Sequence, residues 1–230
     1  VESIREQFPT TPIIVYLIGN REISFNFTRV CNVTVRKFDN VAWNMTHLRY
    51  YQWKPIILAE VLREFKAVWY IDATVRITKS DLNHVYGLLR CRKGRGPSSH
   101  SVFATADPGV FTYIGTNFDK LQLVKNFDSG MTFAVHTDEV VRNILKWFVL
   151  CALQPDCMAP PGAQLMCDFP ADDRFTQYAR CHRYDQTVIN ILLANANYYN
   201  HHLFTSDITD FFEIDRIENI DKINEKFICE

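Results

Sequence analysis

The sequence predicts an α/β layered domain with a mostly parallel central sheet. Two observations predict it. Apolar runs of strand length occur at Ile13 to Ile18, Ala67 to Ile71 and Met131 to Val135, and segments with helical periodicity lie between and after them. Ala67-Val68-Trp69-Tyr70-Ile71 is apolar throughout, which suits a strand in a sheet covered on both faces.

Val1 to Phe8 has helix-compatible polar residues and stops at Pro9-Thr10-Thr11-Pro12. Ile13 to Ile18 follows as a buried strand, β-branched and closed by Gly19. Cys31 to Phe38 alternates more weakly and reads as a strand nearer a sheet edge. From Trp53 the period becomes helical: Pro55 suits a first turn, and Ile57, Leu58, Val61, Leu62 and Phe65 recur at three- and four-residue steps. Cys91 to His100 is basic, Gly-rich and aperiodic, an expected loop that lacks the P-loop and dinucleotide-binding spacings. Asn126 to Gly130 leads into the Met131 to Val135 strand. Thr137 or Asp138 can cap the next helix, which turns Val141, Ile144, Leu145 and Phe148 to one side. Asp185 to Asn195 is a final helix with Val188, Ile189 and Leu192 inward. There are no repeats, and the stretch from Asn200 to Glu230 carries no signal beyond His201 and His202, candidate metal ligands for which a surface imidazole is the favoured reading.

The chain has 230 residues, 47% hydrophobic and 22% charged, enough to bury one large core. Its formal charge of -1 excludes a sequence-wide field for a polyanion, so nucleic acid is not an expected partner. The longest apolar stretches fall far short of the ~20 residues that cross a bilayer, so a membrane would be reached only through an anchor outside this chain. Three Asn-X-Ser/Thr acceptors, at Asn26, Asn32 and Asn44, together with seven cysteines, point to the secretory pathway. Cys151, Cys157, Cys167 and Cys181 lack the short spacing of most zinc sites and predict disulfides that staple an irregular, Pro-containing insert at Gln154 to Arg174. Seven is odd, so at least one thiol is free or pairs outside the chain.

Candidate chemistry falls in three places. Asp72-Ala73-Thr74-Val75-Arg76 closes an apolar strand with an acid, a hydroxyl and a guanidinium, suited to a divalent metal at Asp72 and a diphosphate at Arg76. Asp128-Ser129-Gly130 puts an acid, a hydroxyl and a Gly that permits close approach just before a strand. Cys181-His182-Arg183-Tyr184-Asp185-Gln186 gathers polar groups at a helix N-terminus. The bland readings are a turn cap, a tight turn and a dipole-complementing acid.

In their order these motifs resemble the GT-A glycosyltransferases, Rossmann-like enzymes that use nucleotide-sugar donors. Trp53-Lys54-Pro55, the strand ending Trp69-Tyr70-Ile71-Asp72-Ala73-Thr74, Asp128-Ser129-Gly130 and His182-Arg183-Tyr184-Asp185-Gln186 look like that family's lysine helix, Asp-x-Asp strand, Ser-Gly segment and Asp-Gln helix. The match is closer to a nematode-expanded family of GT-A-like proteins and covers about Ile13 to Asn195. It implies one domain over residues 1–230, starting after the family's first strand, with a disulfide-stapled insert at 154–174. It further implies a nucleotide-diphosphate sugar as donor, a glycan or glycoprotein as acceptor, manganese or magnesium as a possible cofactor, and a Golgi location. By the same resemblance Asp72 contacts metal, diphosphate or ribose; Thr74 stands where the second acid would be; and Lys54 and Arg76 face phosphate. Asp185 and Asp128 are the catalytic candidates, with Gln186, Arg183, His182 and Ser129 on the acceptor side. The rival expectation is a secreted, non-catalytic glycan- or protein-binding domain of the same fold. A cytosolic sugar-nucleotide pyrophosphorylase is disfavoured by the sequons, the cysteines and the lack of a Gly-rich phosphate loop.

Overall fold

A computed structural model describes residues 1–19, 27–39, 48–89, 97–206, 208–215 and 227–228. Helix α1 (Glu2–Gln7) precedes strand β1 (Ile13–Leu17), which pairs in parallel with β2 (Val33–Lys37). Helix α2 (Trp53–Phe65) ends on Lys66, whose left-handed backbone (φ 65°) turns the chain directly into β3 (Ala67–Ile71). A tight turn leads to β4 (Val75–Ile77), then α3 (Asn83–Leu89), β5 (Pro97–Ser101) and the one-turn α4 (Phe118–Leu121). Strands β6 (Lys125–Phe127) and β7 (Met131–Val135) follow. Thr137 caps the next helix by accepting from the Val140 N–H. That helix runs as α5 (Asp138–Val140), a π-helical turn at Val141–Leu145 and α6 (Lys146–Leu153). Helix α7 (Pro155–Met158), helix α8 (Asp185–Ala196) and β8 (Phe212–Ile214) complete the described chain.

The domain is therefore mixed α/β, but the expected mostly parallel sheet is not what the described pairings form. Only β1 and β2 run parallel; β3–β7, β4–β8 and β5–β6 are antiparallel. An apolar run reports burial and carries no information on strand direction. The strand is also less covered than its apolar composition suggests: β3 is exposed at Ala67 and half-buried from Val68 to Ile71. Pro97 to His100, expected in a loop, lies in β5 and pairs with β6. Residues 91–96 of that expected loop, and Asn26 and Asn44, lie outside the described residues.

The main core gathers around α8. Val188, Ile191 and Leu193 are within 2% of full burial and pack with Phe127, Phe148 and Met158. A second apolar layer, with Leu58 and Leu62 of α2, Ala134 of β7 and Leu145, fixes α2 over the β3–β7 pair. Disulfides Cys151–Cys157 and Cys167–Cys181 staple the Pro-containing insert, as its spacing predicted. Cys31 is also disulfide-bonded. No described helix is long and apolar enough to cross a membrane.

Candidate functional site

The site begins with the antiparallel register of β3 and β7. Ile71 lies opposite Met131, so the end of one strand and the start of the other meet at the same edge. One further rung, from the Asp72 N–H to the Gly130 carbonyl at 2.7 Å, places Ser129-Gly130 beside Asp72. A Cβ on Gly130 would sit 3.3 Å from Asp72 Oδ2, so a side chain here would press on that carboxylate and shift it by a few tenths of an ångström. The chain then reverses, with the Val75 N–H donating to the Asp72 carbonyl.

Two helices complete the cluster. Lys54, in the first turn of α2, is at the wrong end of that helix for a positive charge. Asp185, the first residue of α8, is at the right end for a negative one. Lys54 Nζ lies 3.1 Å from Asp72 Oδ1, 3.2 Å from Asp72 Oδ2 and 3.1 Å from Asp185 Oδ2. Tyr70 donates its hydroxyl to Asp72 Oδ1 at 2.7 Å, and Ser129 donates to Asp185 Oδ2 at 2.6 Å. The Tyr51 ring stands 4.9 Å from the same ammonium. Lys54 and Asp185 side chains are 8% and 4% exposed, whereas Asp72 keeps 29% and is the carboxylate that solutes reach. Beside them is a small, partly open recess lined by Lys54, Tyr70, Ser129, Thr132 and Asp185 among others.

The backbone is strained where it delivers these groups. Tyr51 (φ 55°) and Tyr184 (φ 47°, ψ -119°) adopt conformations that residues with a Cβ rarely take, immediately before α2 and at the N-cap of α8. Their rings face each other at 6.3 Å, so packing of this tyrosine pair helps hold both distortions.

Burial works to lower the Lys54 pKa, but the Asp185 and Asp72 carboxylates together lift it above its ordinary value, and the ammonium stays charged. Burial pushes the Asp185 carboxyl above the usual range, against Lys54 and Ser129. The two upward shifts have different causes, the neighbouring carboxylates for Lys54 and burial for Asp185. The Tyr70 phenol, raised by burial and by Asp72, remains a donor.

The other expected site residues fall outside this cluster. Asp128 is exposed, and the charge it presents is felt by buried His100. Thr74 is exposed, with its carbonyl accepting from the Asp215 N–H. Arg76 Nε pairs with Asp215 at 2.6 Å, which turns one edge of the guanidinium expected to face phosphate toward a carboxylate. His182 is fully buried, accepts from the Asp107 N–H at Nδ1 and hydrogen-bonds the Met158 carbonyl through Nε2. Desolvation lowers its pKa to about 4, so it is a neutral brace. Gln186 is half-buried, its carbonyl accepting from Asn190. Arg183 has a buried Nε with no hydrogen-bond partner among the described residues.

Sequence reasoning missed Tyr70, whose phenol orients Asp72, and Asn190, which fastens α8 to β6 by bonding both the N–H and the carbonyl of Phe127. A polar Asn inside an otherwise apolar helical face was the available signal for the second. Tyr70 gave none, because a Tyr in an apolar strand reads as core.

The donor set does not fit a resident divalent ion. Lys54 Nζ spans both oxygens of Asp72 and reaches Asp185, the place from which an ion would bridge the two acids. A dication ~4 Å from a retained ammonium would meet a repulsion of about 8 kcal/mol at an effective dielectric constant of 20. Among the described residues no three His, Cys, Asp or Glu side chains converge. One base against two acids leaves the cluster at -1, which disfavours direct contact with a polyphosphate. Its half-buried Asp72, whose carboxyl oxygens accept hydrogen bonds, instead suits the hydroxyl groups of a polyol.

Fold and site together define a mixed α/β domain, disulfide-bonded as in an oxidising, secretory-type environment, with a lysine–dicarboxylate centre where two strand ends meet two helix starts. Comparison of the chain with family models, curated proteins and solved structures finds no match.

Proposed function

We propose that this chain is a GT-A-type glycosyltransferase of the secretory pathway, working in the Golgi lumen, that moves a sugar from a nucleotide-diphosphate donor to a glycan or glycoprotein. The observation that carries the reading is the convergence of Lys54, Asp72, Ser129 and Asp185, which come from four separate segments. These segments are the ones that resemble the family's motifs, in the same order. Asp72, the more accessible acid, accepts hydrogen bonds from hydroxyls of the donor, with Asp185 and Lys54 behind it as its support. The unpartnered Arg183 Nε is a candidate contact for phosphate oxygens. In the transfer, the acceptor oxygen bonds to the anomeric carbon as the bond from that carbon to the diphosphate breaks. The acceptor proton passes to a carboxylate, and Asp72 is the accessible one.

The test is a thermal-shift screen against nucleotide sugars and free nucleoside diphosphates with uridine, guanosine and cytidine bases, with Asp72→Ala as control. Stabilisation by one nucleotide sugar, lost in Asp72→Ala, supports the reading; no shift in a folded chain sinks it. The rival, a glycan- or protein-binding domain, draws support from Thr74 in place of a second acid and from the pairing of Arg76 with Asp215. It predicts glycan binding without nucleotide binding.

A further inference from the structure

We infer that Lys54 is a built-in cation: its ammonium fills the seat from which a divalent ion would otherwise bridge Asp72 and Asp185, and the folded chain therefore holds no metal there. The inference rests on geometry and charge alone and stands whether or not the transferase reading does.

Three features carry it. The first is position. Nζ is nearly equidistant from the two oxygens of Asp72, 3.1 and 3.2 Å, and 3.1 Å from Asp185 Oδ2, so one cation contacts both acids as a bridging ion would. The second is confinement. With its side chain 8% exposed and Tyr51, Trp53 and Tyr70 rings 4.9, 5.8 and 5.7 Å from Nζ, Lys54 has little room to swing aside for an incoming ion. The third is saturation. Asp72 Oδ1 also accepts from Tyr70 and Asp185 Oδ2 from Ser129, so the acids are held by donors that fix their present orientation. A manganese or magnesium ion would need oxygens at about 2.0–2.2 Å and the ammonium removed.

The consequence for chemistry is that any ligand reaching Asp72 meets a carboxylate already compensated by a fixed charge. Binding there is then insensitive to chelators. If the site takes a nucleotide sugar, the charge released on the departing diphosphate has to be met by groups other than a metal resident between these two acids.

The experiment is manganese titration of the intact chain, followed by the loss of the free-ion electron paramagnetic resonance signal, for wild type, Asp72→Asn, Lys54→Ala and Lys54→Ala/Asp72→Asn. Wild type is expected to leave the free-ion signal unchanged. Lys54→Ala, with the buried Asp185 and half-buried Asp72 carboxylates left unbalanced, is expected to take up the ion in the vacated seat, and the added Asp72→Asn to abolish that uptake. Manganese uptake by wild type that disappears in Asp72→Asn overturns the inference. So does a folded Lys54→Ala chain that takes up none. If Lys54→Ala fails to fold, the wild-type titration with its Asp72→Asn control decides alone. Nucleotide sugar binding measured in chelator separates the two proposals: binding only when manganese is added, together with wild-type manganese uptake that is lost in Asp72→Asn, overturns this inference and keeps the transferase reading.

Discussion

Lys54 and Asp185 form a buried ion pair, Nζ to Oδ2 at 3.1 Å, between the first turns of two helices that come from opposite halves of the sequence. The pair brings the start of α2 and the start of α8 together at the edge where β3 and β7 end and begin, and Asp72 joins it there. Removing the base leaves two acids facing each other in a poorly solvated place. Lys54→Met is expected to cost about 3–5 kcal/mol of unfolding free energy in urea titrations at neutral pH. The loss should shrink as pH falls, because the unbalanced acids then take up protons. A neutral-pH loss below ~1 kcal/mol would show that the pair is loosely held.

His182 gives the fold a pH dependence of its own. Its folded pKa is depressed to about 4 from an ordinary value near 6.5. Below that ordinary value the unfolded chain takes up a proton that the folded chain refuses, so this stability is present at neutral pH and is lost as pH falls from 6.5 towards 4. The full linkage is at most about 3 kcal/mol. His182→Gln should flatten unfolding free energy against pH over that window. An unchanged profile would mean that the imidazole does not titrate with unfolding.

The insert depends on covalent closure. Cys167–Cys181 closes a loop of sequence separation 14 across Pro-containing, irregular chain. Replacing both cysteines by Ser is expected to lose about 3 kcal/mol, measured by thermal unfolding. Because the Asp168 N–H bonds the Ala179 carbonyl and the Ala179 N–H that of Ala104, added proteolytic cleavage should map to residues between Cys167 and Cys181. Unchanged stability would mean that packing alone holds the insert.

Asn32 is set up to carry a glycan. It is exposed in a left-handed turn (φ 54°) that Asn tolerates well, its carbonyl accepts from the Ile13 N–H, and Thr34 of the sequon is exposed on β2. Expression through a secretory pathway should give an Asn32 peptide whose mass falls on enzymatic deglycosylation, an effect absent in Asn32→Gln. An unmodified Asn32 in secreted, folded protein would contradict this.

Several elements were legible in the sequence because one physical pattern specified each. The period of Ile57 to Phe65 gave α2, the apolar runs gave β1, β3 and β7, and the cysteine spacing gave a stapled insert. Strand direction was not legible, since Val68 buries the same surface whether β7 runs with it or against it. The antiparallel choice is what joins Asp72 to Gly130. Lys54, Asp72, Ser129 and Asp185 were each singled out, but their assembly around one ammonium depends on tertiary distances that no local motif encodes. The partners of His182 and Arg76 were not legible for a related reason. A polar side chain beside a motif looks functional until its partners, Asp107 and Met158 for one and Asp215 for the other, are known.

The central claim is that the cluster around Asp72 is a sugar-transfer centre. The most direct measurement is the nucleoside diphosphate released from each nucleotide sugar, in the presence of glycan acceptors, by wild type and by Asp72→Asn of matched thermal stability. The account predicts release from one donor by wild type and a loss on the order of 10²-fold or more in Asp72→Asn. Equal rates in the two proteins, or no release by a folded chain that binds the donor, would contradict it.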